Sequence, residues 1–143
     1  MLTGEYKHTI DTKKRLSLPA KFRGELGENV IITKGIDSCL VVYSEKEGKA
    51  MFSKLGQLPE SKLEARSFAR IRLAGATEAN LDRLGRVLIP DYLKDYAGLK
   101  KNVIVCGLYN RLEIWDDQKW ETYRKGIEKK VVGLVSKLEE LGI

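Results

Sequence analysis

Cysteine and histidine, which carry most nucleophilic and metal chemistry, are nearly missing: the 143 residues hold two cysteines and one histidine. Cys39 and Cys106 stand too far apart for a metal motif and read as half-buried strand thiols in a reducing compartment. With His8 as the one histidine, no nucleophile stands near a base at a recognisable spacing. Gly35 and Gly107 stand alone rather than in a phosphate-cradling loop, so no catalysis, metal or cofactor is expected. Three prolines leave no room for a Pro-rich linker. No apolar run approaches the roughly eighteen residues of a membrane span, and Met1–Lys7 has no apolar stretch of the leader type. A cytosolic protein without membrane partners is expected.

What is present suits one ordinary domain, or two small ones sharing a core: 43% apolar residues can fill an interior and 32% charged residues can solvate its surface. The net charge of +6 is unevenly spread. Residues 1–24 hold Lys7, Lys13, Lys14, Arg15, Lys21 and Arg23 against only Glu5 and Asp11. Such an excess suits a polyanion such as nucleic acid, although charge by itself fits a solvated basic face equally well.

The chain also repeats itself. Residues 10–23, IDTKKRLSLPAKFR, return as residues 81–94, LDRLGRVLIPDYLK. Asp11/Asp82, Arg15/Arg86 and Pro19/Pro90 coincide, and Leu18/Ile89 and Phe22/Leu93 keep their apolar character. The likeness continues from Val30–Ile36 to Val103–Leu108 after a one-residue gap, and from Leu40–Tyr43 to Leu112–Trp115. A duplicated unit builds one element, and one binding surface, twice. The expected division is a first repeat over 5–56, a connecting helix over 57–76, and a second repeat with a long C-terminal helix over 77–143.

Each unit reads as strand, tight turn, strand, short helix, strand, turn, strand, helix. Pro19 and Pro90 mark strand-to-helix switches, because proline cannot donate to a ladder but suits a helix start. Phe22 with Leu26, and Leu93 with Ala97, lie four apart on one helical face, and Gly27 and Gly98 stand where helices stop. The Val/Ile-rich runs 29–34 and 102–106 read as strands, followed by turns at Gly35 and Gly107. In the connecting helix Leu63, Phe68 and Ile71 lie near one side, and Gly75 ends it. At the C-terminus Trp120, Tyr123, Ile127, Val131, Leu134, Leu138 and Leu141 step by threes and fours along one long helix. That stripe can cover the chain's own core or pack on a neighbouring copy. Edge strands of so small a half cannot stay unpaired, so the halves should complete each other's barrel.

The recurring Asp-x-x-x-Arg is best read as a hairpin loop. Gly85 suits a backbone position with positive φ, which Lys14 occupies in the first copy at some strain. Asp11 and Asp82 read as turn formers, accepting N–H groups within their own loops or pairing with arginine at the hairpin mouth. Arg15 and Arg86 stand beside Lys13, Lys14 and Arg83 with no carboxylate excess to explain them. A guanidinium can fork onto a phosphate or onto the O6/N7 edge of guanine, so these five residues are the candidate DNA contacts. The first loop, richer in cations, is the expected main contact.

Two Asp-x-x-x-Arg loops in register, each followed by a short strand and proline (Leu18-Pro19, Ile89-Pro90), with Ala74-Gly75-Ala76-Thr77-Glu78 between them, closely resemble the MraZ family. These are bacterial regulators built from two SpoVT/AbrB-type domains, and the resemblance covers nearly the whole chain. It implies an α+β fold in which two tandem swapped-hairpin repeats form one pseudo-twofold β-barrel with flanking helices. It further implies side-by-side association into homo-oligomeric rings whose basic loops line a double-stranded DNA surface. The implied function is transcriptional repression of the division and cell-wall gene cluster, on short G-rich direct repeats, in a cytoplasmic, nucleoid-associated protein. The alternative is a protein-interaction module of the swapped-hairpin antitoxin type, although such a module would carry a disordered tail where this chain has an amphipathic helix. RNA binding stays open, but no aromatic stacking platform is evident.

Overall fold

The computed structural model describes residues 1–143. The first half runs β1 (Leu2–Thr9), β2 (Arg15–Ser17), α1 (Ala20–Leu26), β3 (Asn29–Lys34), β4 (Leu40–Ser44) and α2 (Glu45–Gly56). Helix α3 (Leu63–Ala69) continues into a π-helical turn (Arg70–Ala74). The second half repeats the order as β5 (Thr77–Asn80), β6 (Arg86–Leu88), α4 (Asp91–Ala97), β7 (Asn102–Tyr109), β8 (Leu112–Asp116) and α5 (Asp117–Glu128). Helix α6 (Val131–Lys137) and a 3-10 turn (Glu139–Leu141) finish the chain. Pro19 and Pro90 are the N-caps of α1 and α4. Gly27 and Gly98 close those helices at φ 76° and 61°, a left-handed region where a Cβ is penalised.

Six strands form one antiparallel sheet in the order β1-β7-β8-β4-β3-β5, and β2 pairs with β6 in a separate ribbon. The order reads the same when the halves are exchanged. Each half lends its first strand to the other's third: Thr9 lies opposite Asn102, and its counterpart Asn80 opposite Asn29. The central pair β4–β8 also joins the halves. The α+β class is as expected, but the ladder does not close into a barrel. The six-stranded sheet is open and ends on β1 and β5, with the ribbon folded over one face.

That face holds the core. Period-two alternation points Val30, Ile32, Leu40, Val42, Val103, Val105, Leu112 and Ile114 inward, where they meet Leu16 and Val87 of the ribbon and Phe22, Leu26, Leu93 and Ala97 of α1 and α4. Tyr6 sets its ring edge-on to Phe22 with centroids 5.4 Å apart. Each large aliphatic or aromatic side chain buried here stabilises by about 1.5–3 kcal/mol. The opposite face is covered by α2, the π-helical turn and α5. Trp115 of β8 packs there against Trp120 and Tyr123 of α5, with centroids 5.4 Å and 4.9 Å away.

Three sequence expectations change. Gly107 is not a turn: β7 runs through it to Tyr109, and β1 crosses so closely that a Cβ there would lie 2.5 Å from the Thr3 nitrogen. The C-terminal helix is not continuous. Its ladder tightens at Lys130, whose N–H donates to Ile127 at 2.9 Å, and the chain restarts as α6. Gly126 and Gly133 weaken helix on both sides of that break, and beyond Tyr123 no core holds it straight. Finally, both cysteines are fully buried, and Cys39 precedes β4 rather than lying within it. Burial pushes both thiols up to about 12, so they are inert. No helix is long and apolar enough to cross a membrane.

Candidate nucleic-acid interface

Both Asp-x-x-x-Arg segments close by the same bonds. The Lys14 N–H donates to the Asp11 carbonyl at 3.0 Å and the Asp11 N–H to the Arg15 carbonyl at 2.9 Å. Gly85, Asp82 and Arg86 repeat the pattern at 2.9 and 3.0 Å. This three-residue hairpin needs a left-handed residue in its last position. Gly85 supplies it at φ 73°, and Lys14 adopts it at φ 65°, as the sequence comparison anticipates.

The aspartates are confirmed as turn formers. Oδ1 of Asp11 accepts the N–H groups of Lys13 and Arg15 at 2.8 and 2.9 Å, and Oδ1 of Asp82 accepts those of Leu84 and Arg86, both at 2.9 Å. The backbone N–H of the arginine, aided by its guanidinium, holds each carboxyl below the usual carboxylate range.

The arginines correct the sequence reading, which left them without a carboxylate. Oδ2 of Asp11 accepts Arg15 Nε at 2.9 Å, and Oδ2 of Asp82 accepts Arg86 Nε at 2.7 Å. In both heads the two Nη nitrogens have no partner within the chain, and the side chains are 31% and 26% exposed. One edge of the guanidinium is anchored, and the fork that recognises an anion or a guanine edge is left open.

The ribbon brings the two loops together. Leu16 opposite Val87 points into the core, so Arg15, Ser17, Arg86 and Leu88 share its outer face. Arg15 lies opposite Leu88 and Ser17 opposite Arg86, which makes the arginines diagonal neighbours with about 7–8 Å between them. Each loop is also clamped by the other half: the Ile89 N–H donates to the Lys14 carbonyl at 2.9 Å, and the Leu18 N–H to the Gly85 carbonyl at 3.0 Å. Lys13 and Arg83 are exposed at the loop tips.

Two features lay outside the sequence reading. Lys14 Nζ pairs with Asp91 Oδ2 at 2.7 Å, so much of the extra positive charge of the first loop is taken up by the other half. The two loops therefore present nearly equal sets of free cations. Arg23 of α1 donates from Nε to the Leu18 carbonyl at 3.0 Å and lies over Gly85, where any Cβ would overlap its guanidinium. A lone arginine within a helix gives no sequence signal of such a cross-repeat contact. Burial, and secondarily Arg23, lowers the pKa of His8, which is therefore neutral at pH 7 and adds nothing to the basic face.

Comparison with known proteins decides the family. The family model described as "MraZ protein, putative antitoxin-like" matches residues 1–71 and 73–132. The chain belongs to the MraZ family. Proteins named transcriptional regulator MraZ from Thermoanaerobacter pseudethanolicus and Caldicellulosiruptor bescii are 47% and 48% identical over 143 residues, covering 100% of both chains in each case. Another so named, from Natranaerobius thermophilus, is 41% identical over the same full span. Membership thus extends over the whole chain, both loops and α6 included, and MraZ is a family of transcriptional regulators.

Proposed function

We propose that this chain is a sequence-specific repressor that binds double-stranded DNA through the outer face of the β2–β6 ribbon. In this reading Arg15 and Arg86 fork onto guanine edges or phosphates, Lys13 and Arg83 contact flanking phosphates, and Lys14 contributes weakly because Asp91 holds it. Asp11, Asp82 and Gly85 set the loop shape. The targets are short G-rich direct repeats before the division and cell-wall gene cluster, bound by a homo-oligomeric ring on the nucleoid. The two halves, 5–56 and 77–143 with 57–76 as connector, act as one pseudo-symmetric binding unit.

The observation that carries the reading is the pair of guanidiniums, each anchored through Nε by its own loop and open at both Nη atoms, set side by side on one exposed ribbon. A handful of cations makes few phosphate contacts, so one unit binds weakly and with strong salt dependence. A ring raises the effective concentration for the next repeat. The test is fluorescence anisotropy with a G-rich repeat duplex and a scrambled one at stated salt. Arg15→Ala and Arg86→Ala should each cost about 1–3 kcal/mol, roughly 5- to 150-fold, on the repeat duplex only. Unchanged affinity with an intact circular dichroism spectrum would remove these residues from the interface.

A further inference from the structure

Helix α6 is seven residues long and buries none of them. A helix that short is not stable in water without packing. Yet Val131, Val132, Val135 and Leu138, with Leu141 just beyond, are exposed. Helix α3 is its counterpart: also seven residues with none buried, and with Leu63, Phe68 and Ile71 exposed along α3 and the π-helical turn. These two surfaces are opposite in charge. Residues 62–74 carry Lys62, Arg66, Arg70 and Arg72 against Glu64, and none of the four cations is in an ion pair. Residues 131–143 carry Glu139 and Glu140 against Lys137.

Arg72 sharpens the mismatch. It is only 6% exposed, its Nη2 donates to the Tyr43 hydroxyl at 2.8 Å, and its buried Nε has no partner. A nearly buried guanidinium without a carboxylate is costly. Acidic side chains laid over this helix would offset that cost.

We propose that α6 of one copy docks on the α3 and π-turn face of the next copy, its valines and leucines against Phe68 and Ile71 and its glutamates toward Arg66, Arg70 and Arg72. The contact is head to tail, since the donating and receiving surfaces differ, and such contacts close into rings when the rotation permits. A single helix seat is smaller than the roughly 800 Å² per partner of a stable pair. In a closed ring, however, every copy donates one helix and receives another. This proposal rests on the ring reading above and names the surfaces that build it.

The test uses the full chain. Ile71→Asp and Val135→Asp, both at exposed positions, should each reduce the mass by light scattering from a multiple of the chain to a single chain. Glu139→Arg/Glu140→Arg should do the same, and Arg66→Glu/Arg70→Glu combined with it should restore the assembly. An Ile71→Cys chain mixed with a Val135→Cys chain should give a covalent dimer with a short bismaleimide; the native thiols are buried and inert. Assembly persisting in both aspartate variants overturns this docking and leaves the ring standing. A single-chain mass for the unaltered protein at every concentration overturns both. Dimers from Val135→Cys by itself mean that α6 pairs with α6, and cross-linking confined within a doubly substituted single chain means that α6 folds back; either result overturns the proposal.

Discussion

At the scale of single residues, the interface is a problem in holding arginines still. A free guanidinium loses rotamer entropy on binding. Asp11 and Asp82 reduce that loss by fixing Nε while leaving the Nη fork exposed. Their own pKa values report the bond. Both are depressed, so the loops' contribution to stability is fully present above about pH 4 and is lost as the pH falls through the lowered folded values. Carboxyl-carbon NMR titration should place both midpoints below the ordinary value of about 3.9. Arg15→Ala should move the Asp11 midpoint only part of the way back, because the backbone N–H of residue 15 is the larger cause. Gly85→Ala should destabilise by about 1–2 kcal/mol in urea, from the left-handed backbone and displacement of Arg23. Lys14→Gly relieves the same strain in the first loop and should show no such loss. The turn chemistry was legible in sequence because every partner lies within five residues. The Lys14–Asp91 pair and the Arg23 cover were not, since both join residues from different halves.

At the scale of elements, the exchange of first strands is the step that makes one protein of two halves. Strand β1 lies on β7 along eight residue pairs, and Gly107 lets the two backbones approach. Gly107→Val should force them apart and cost about 1–3 kcal/mol, seen as a lower midpoint in chemical denaturation with early amide exchange along β1. Unaltered exchange there would show that β1 is held by other contacts. The order of strands and helices was readable from period, proline and glycine. Gly107 was misread as a turn because glycine serves turns and close approaches alike, and only the neighbouring strand tells them apart. The unbroken C-terminal stripe promised one helix for a similar reason: periodicity records a preferred face, but without a core beneath it the segment broke at Lys130.

At the scale of the whole molecule, the pseudo-twofold order of the sheet sets two equal loops on one ribbon. Both should therefore matter to DNA binding, and the first should not dominate. Affinity for duplexes with one, two and three repeats should rise much more steeply than in proportion to repeat number, and log affinity should fall linearly with log salt. Lys13→Ala should weaken all sequences alike and reduce the salt slope by about one. A slope unchanged in Lys13→Ala, measured by anisotropy, would place that lysine away from phosphate.

What the amino-acid sequence determined by itself is what neighbours along the chain can settle: two copies of a hairpin loop, the aspartate-built turns, the glycine and proline punctuation, the alternation of core positions, and membership of a regulator family. Only the tertiary structure decided that first strands cross between halves, that the sheet stays open, that Arg15 and Arg86 are anchored with free Nη atoms, and that α3 and α6 are left unburied. Local conformation follows from interactions a few bonds away. Strand pairing, the facing of two loops and the burial of a helix depend on residues brought together across the chain, and these are chosen by packing rather than by any residue's own preference.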